Sequence, residues 1–320
     1  MLMNKPWTVL CGLMMVSCTG DSEQSEEQKT TALVVYSFSF PVGHLVDRLV
    51  GDAVQHECIL PAGEDAATWK PTTEQIIQLQ QADLLFSNGF GFENWVKTAA
   101  LPTSKLIEST RAVEPIQLQG KTHSHGKGGA HSHGETDPHA WSDPMAYLAM
   151  ANVVAESLSK EQPDLEAVIQ QNLGALQSEL EQLDQQNDVV FTTLSGVFFA
   201  ANHPSFSYLM QSQEMPIQNF DFDPNGSLDS DDVSAFQIWN ATHPNAVLLW
   251  EQEPSAENKM ALSGTNHAFI DPLEAPVDGR YDYVAQYKTN QKRFQGIATQ
   301  YASTVVQEQD GEKSTSSAPQ

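Results

Sequence analysis

The amino-acid sequence predicts an α/β protein of two lobes, each a mostly parallel sheet flanked by helices, joined by one long rigid connecting helix. Three observations lead there. Short apolar, β-rich runs alternate with helical patterns along most of the chain, as in a largely parallel sheet covered by helices. At 320 residues the chain exceeds what a single hydrophobic core ordinarily organises. Between two α/β halves, residues 164–187 place Leu165, Val168, Leu173, Leu176, Leu180 and Leu183 close to a helical repeat with no interrupting proline.

The elements follow in chain order. Residues 1–17 form an export signal: Lys5 supplies the positive start, and the apolar stretch from Trp7 to Val16 is too short to span a bilayer. It ends in Met15-Val16-Ser17-Cys18, which resembles the bacterial lipobox with Met15 in place of the usual Leu. That resemblance implies lipidation at Cys18 and a membrane-anchored protein of the periplasm or cell envelope. Residues 18–31 are polar and acidic without periodicity, and predict a flexible tether. Residues 32–160 form the first lobe, with strands at 33–38 and 84–86 and helices at 43–51, 72–82 and 144–160. The connector occupies 161–187. The second lobe spans 188–306, with strands at 197–201, 247–250 and 269–270 and a helix at 256–263. Residues 307–320 read as a disordered tail.

Composition narrows the function. The formal charge of −25 disfavours a nucleic-acid partner, which needs an excess of Lys and Arg. It also repels anionic headgroups, so attachment to a membrane must be covalent. The same charge raises the local concentration of cations. Outside the signal and Cys18, Cys58 is the single cysteine. No intrachain disulfide and no cysteine-built zinc site are possible, so any metal must be held by His and carboxylates.

Three positions stand where α/β proteins place ligands, beyond the carboxyl ends of strands, and a fourth just outside a helix start. His203 follows the apolar run 196–202, Glu251 ends the run 247–251, and Asp271 ends 268–271 before Pro272. His139 precedes Asp143 and Pro144, a helix cap and a first-turn proline. Each has a plainer reading as a turn former, cap or lobe contact. Together they offer a nitrogen and oxygen set suited to zinc, with Mn2+ or Fe2+ as alternatives. The segment 122–134 (THSHGKGGAHSHG) presents His123, His125, His131 and His133 in a stretch that cannot build a core. It is expected to be a loop that binds metal adaptably.

Several motifs occur in an order that resembles the zinc/manganese-type periplasmic binding proteins of metal ABC transporters, over nearly all of residues 32–300. They are PTTE at 71–74, ADLLFSNGFGFENW at 82–95, DPHAWSDP at 137–144, NHPSFSY at 202–208 and IDPL at 270–273. The resemblance implies two α/β lobes joined by a long helix, with metal between them. It also implies His139, His203 and Asp271 as ligands, and His at 203 tilts the choice towards zinc. One departure matters: Ala67 stands where the family has a ligating His. Candidates for the fourth position are Asp65, Glu64, His44, Glu251, a histidine of the 122–134 loop, or water.

The function expected is that of a monomeric solute-binding component that captures a divalent metal and delivers it to a membrane permease, without enzymatic activity. Two alternatives stay open. An exposed fourth coordination position would suit a periplasmic zinc hydrolase, although no HExxH, GxSxG or P-loop pattern occurs. A metal buffer or sensor would act through the His-rich loop alone.

Overall fold

The computed structural model describes residues 33–118, 123–125, 129–131, 136–220 and 222–315, with side chains described as far as residue 303 outside the 123–131 segments. The export signal, Cys18, the tether and His133 lie outside the described residues. No described helix is long and apolar enough to cross a membrane.

The first lobe runs β1 (Val34–Ser37), α1 (Phe40–Val50), β2 (Gln55–Cys58), α2 (Thr73–Gln81), β3 (Leu84–Ser87) and β4 (Leu106–Glu108). Its four strands are parallel in the order β2-β1-β3-β4. A two-stranded antiparallel hairpin, β5 (His123–His125) and β6 (Gly129–His131), follows, with His123 directly opposite His131. The segment read as a loop is therefore partly a hairpin. Helix α3 (Pro144–Glu161) closes the lobe and begins as expected: the Asp143 carboxylate accepts from the N–H groups of Met145 and Ala146, with Pro144 in the first turn.

Helix α4 (Glu166–Thr192) is the connector, running five residues past the predicted end. The second lobe then runs β7 (Phe198–Ala201), α5 (Ser207–Ser212), β8 (Ile217–Asn219), α6 (Ser230–Asn240), β9 (Ala246–Trp250), α7 (Ala256–Ala261) and β10 (Asn266–Phe269). Its parallel sheet is ordered β10-β9-β7-β8. Both lobes thus place the first strand centrally, the second on one side, and the third and fourth on the other. Strands β3 and β9 are buried along their whole length, as parallel strands covered on both faces must be.

Helix α8 (Tyr283–Thr315) returns along the molecule. Its polar, glutamine-rich sequence did not announce a helix, and the segment read as a tail from 307 continues it to Thr315. The short strands β2, β4 and β8 were also not predicted, because each has three or four residues and none is fully buried.

Two helices cross both cores. On α4, Ile169, Leu173, Leu176, Leu180 and Leu183 enter the first core, and Val190 and Phe191 enter the second. On α8, Tyr283, Val284 and Tyr287 join the first, and Phe294 and Ile297 the second. Where the cores meet, the seam is polar. Asn187 Nδ2 donates to the Tyr287 hydroxyl at 2.7 Å, and Gln291 Nε2 donates to Leu183 O at 2.7 Å and to Asn187 Oδ1 at 2.8 Å. Buried polar groups need their partners, so this seam fixes the register of one helix against the other.

Candidate metal centre at the lobe boundary

In the second sheet the strand order reverses between β7 and β9, and a crevice opens beyond the carboxyl ends of such a pair. Asn202, directly after β7, spans it: its side chain accepts from Glu251 N at 3.0 Å and donates to Phe222 O at 3.1 Å. This holds the ends of β7 and β9 together and places His203 and Glu251 side by side. Both are buried.

The His203 tautomer follows from its partners. Ser205 Oγ gives its one proton to Glu251 Oε2 at 3.0 Å. It must then accept from His203 Nδ1, which stands 2.8 Å away. The Glu251 carboxylate is itself 3.3 Å from that nitrogen. Nδ1 is therefore committed, and Nε2 is the nitrogen with which this ring would ligate a metal.

His139 comes from the first lobe and is held in the same way. Asp137 Oδ1 accepts from both the backbone N–H of His139 at 2.9 Å and its Nδ1 at 2.7 Å. The ring is fully buried, and its Nε2 lies 3.4 Å from Glu274 Oε1. Burial alone would disfavour the imidazolium; the Asp137 carboxylate, and then Glu274, reverse this and hold the His139 pKa up at about 10. The two imidazoles meet edge to face, with ring centroids 5.0 Å apart. Among the described residues no three donors already form a finished metal cage. His139 thus stands between two carboxylates, Asp137 at Nδ1 and Glu274 at Nε2.

The carboxylate facing His139 Nε2, at 3.4 Å, is Glu274, which the sequence motifs do not include. Asp271, which they do include, uses one oxygen within its own turn and the other on α8: Oδ1 accepts from Leu273 N at 2.9 Å and Oδ2 from Gln286 Nε2 at 3.2 Å. Leu273 adopts φ 62° and is buried in the first lobe's core, while Trp141 Nε1 donates to Pro272 O at 2.9 Å. The turn is thereby pinned across the boundary and aims Glu274 at His139. The signal for this was present, since an Asp before Pro commonly spends its carboxylate on the N–H two residues on.

The remaining candidates divide. Asp65 and Glu64 line a cleft of about 950 Å³ together with Asp223, Glu251, Asp271 and Glu274. Among the described residues, every charged group on its walls is a carboxylate. Asp65 Oδ1 accepts from Ala67 N at 2.8 Å, and Oδ2 is buried with no hydrogen-bond partner among the described residues. Ala67 itself packs into the first core. His44 is engaged elsewhere. Tyr147 gives its hydroxyl proton to Pro41 O at 2.7 Å, so His44 Nδ1 donates to that hydroxyl at 2.9 Å, among the rings of Tyr147, Tyr281 and Tyr283. Burial pushes its pKa down to about 4. Of the loop histidines, His123, His125 and His131 lie in the hairpin.

Two parallel α/β lobes with imidazoles from each meeting at their boundary define the class of two-lobed metal-binding proteins. The chain belongs to the family described as the periplasmic component A of the zinc-uptake complex, whose model matches residues 34–296. It is 25 % identical over 207 residues to the zinc-binding lipoprotein AdcA of Streptococcus pneumoniae, covering 62 % of this chain and 40 % of that one. It is 23 % identical over 270 residues to the high-affinity zinc uptake system protein ZnuA of Bacillus subtilis, covering 80 % and 84 %. The chain thus spans about two fifths of AdcA. The crystal structure of the Zn(II)-bound ZnuA-like domain of AdcA from Streptococcus pneumoniae superposes with a TM-score of 0.70 at 19 % identity, covering 84 % of this chain and 99 % of that one. That likeness establishes the fold.

Proposed function

We propose that this protein is the solute-binding component of an ABC-type metal uptake system, which captures zinc between its lobes and delivers it to a membrane permease. The observation that carries the proposal is the pair of buried imidazoles, one from each lobe, each anchored through Nδ1 and meeting beside Glu274. His139 and His203 supply nitrogen donors and Glu274 an oxygen donor, a set that favours zinc over the more oxygen-seeking manganese. Asp65, with its buried oxygen at the cleft, is the proposed replacement for the imidazole absent at Ala67. Asp271 and Glu251 act behind the ligands, Asp271 by shaping the turn and Glu251 by bracing His203.

The relatives support this reading. The two proteins named above are called a zinc-binding lipoprotein and a zinc uptake system protein, and neither name is that of an enzyme. A lipid at Cys18 would hold the chain at the envelope, and the monomer would present its metal to the permease. The His123–His131 hairpin serves as an auxiliary capture site outside the tight centre.

The test is metal analysis and competition titration of residues 19–320 with His139→Ala and His203→Ala beside it. One tightly bound zinc, lost in both variants, supports the centre. Weak multi-site binding that survives both substitutions overturns it in favour of the His-rich segment.

A further inference from the structure

The first lobe has a switch point of its own, between β1 and β3, and the metal centre described above makes no direct use of it. The residue directly after β3 is Asn88, which is fully buried. Its carbonyl accepts three hydrogen bonds, from Thr110 N at 3.0 Å, Ser109 Oγ at 3.1 Å and Thr110 Oγ1 at 2.8 Å. Its N–H donates to the carboxylate of Glu93, 3.0 and 3.2 Å from the two oxygens. Glu93 is itself buried.

Between these two residues the backbone turns through three consecutive positive φ angles, at Gly89 (98°), Phe90 (52°) and Gly91 (75°). A Cβ on Gly89 would meet Thr110 Oγ1 at 2.3 Å. Such a conformation is costly for Phe90 and persists where its surroundings over-determine it, which is a pattern of functional loops.

The loop spends this order on one neighbour. Asn88 Nδ2 donates to Pro138 O at 2.9 Å, the carbonyl of the peptide that leads into His139. Ala140 N donates to the same oxygen at 2.9 Å. The Phe92 ring stands edge-on to the His139 ring at 6.0 Å. Residues 88–93 thus add a second hold to that of Asp137, through the peptide before His139 and against its ring.

We infer that Asn88, braced by Glu93, is a positioning residue that sets where His139 presents Nε2 to the metal. The inference rests on the reading of His139 as a ligand. Outer groups that orient ligands are worth about 10- to 100-fold in metal affinity. Asn88→Leu keeps the volume and removes the donor, whereas Glu93→Gln keeps an acceptor for the Asn88 N–H.

The experiment compares wild type, Asn88→Leu, Glu93→Gln and His139→Ala as the mature chain. Asn172→Leu is the control, because it removes the Asn172 Nδ2 to Leu49 O bond of 2.9 Å, which joins the connector to the first lobe away from His139. Zinc affinity is read by chelator competition, ligand geometry by the visible spectrum of the cobalt(II) form, and folding by melting of the metal-free protein. Asn88→Leu is expected to weaken zinc about 10- to 100-fold and to change the cobalt spectrum. Glu93→Gln should keep both, and Asn172→Leu should lower the melting temperature while leaving both unchanged. Asn88→Ser takes the place of Asn88→Leu if the latter does not fold. Wild-type affinity and spectrum in the Asn88 variant overturn the inference. So does a loss that Asn172→Leu reproduces at equal destabilisation. If wild type holds no tight zinc, or His139→Ala still does, the metal reading itself has failed and takes the inference with it.

Discussion

His139 and His203 belong to different lobes, yet their rings stand at 89° to each other with centroids 5.0 Å apart. Each lobe supplies one of the two imidazoles that meet at this boundary. Removing one ring therefore removes most of what the other contributes, and the two substitutions are expected not to add. Competition titration of the His139→Ala/His203→Ala double variant should give an affinity close to either single variant. Losses that sum would mean that the rings bind separate ions.

Much of this arrangement is legible in the sequence. The strand-end positions of His203 and Glu251 follow from apolar runs that stop abruptly, and the cap at Asp143 fixes where α3 begins. Helix α4 was legible because its leucines recur at a helical period, and that period exists because one face lies in the first core. Helix α8 was not, since it buries a few large residues (Tyr283, Tyr287, Phe294) among many glutamines and no periodic stripe marks it. Glu274 has no signal of its own, because it lies just past the IDPL motif, and only the folded turn shows that its carboxylate stands at His139. That Ala67 faces the core, while Asp65 keeps a buried oxygen at the cleft, depends on a turn whose direction the sequence does not specify.

Glu274→Gln and Asp271→Asn should separate by their readouts. The first removes a charge beside His139 Nε2 and is expected to weaken zinc with little effect on folding. The second weakens hydrogen bonds to Leu273 N and Gln286 Nε2 and should cost about 1–3 kcal/mol of stability. Urea denaturation and titration of both variants check this. Loss of zinc in Asp271→Asn at unchanged stability would mark Asp271 as the ligand instead.

Zinc binding should release a proton. The Asp137 and Glu274 carboxylates hold the His139 pKa up, at about 10, so the metal-free protein is expected to carry an imidazolium at neutral pH, and a ligating nitrogen cannot keep its proton. Affinity should therefore rise with pH until it passes that pKa. Calorimetry at pH 7.5 in buffers of different ionisation enthalpy measures the release directly. Heats independent of buffer would show that His139 is already neutral.

Glu93 predicts an opposite trend in stability. Burial pushes its pKa up to about 7 from an ordinary 4.5, so the folded state holds a proton that the unfolded state has lost between those values. Its contribution is present below pH 4.5 and fades as pH rises through 7. Glu93→Gln stays neutral, so the metal-free variant should gain about 1–3 kcal/mol over wild type at pH 8 and nothing near pH 4. Denaturation curves at the two pH values test this. Equal stability at pH 8 would mean that the buried carboxylate is already compensated when ionised.

Metal capture should leave the relative position of the lobes nearly unchanged. Helices α4 and α8 each contribute to both cores, and the seam of Asn187, Tyr287 and Gln291 locks them together. Opening the cleft by a wide hinge would strip partners from buried polar groups, at about 1–3 kcal/mol each, while a shift of the Glu64–Asp65 loop or the Glu274 turn leaves the seam intact. Solution scattering of the metal-free and zinc-loaded protein should give the same radius of gyration within error. Asn187→Ala, which removes the centre of the seam, should lower stability and make the radius respond to zinc. A contraction of several ångströms in the wild type would show that the two helices bend, and that capture proceeds by closure of whole lobes rather than by movement of the loops that carry the carboxylates.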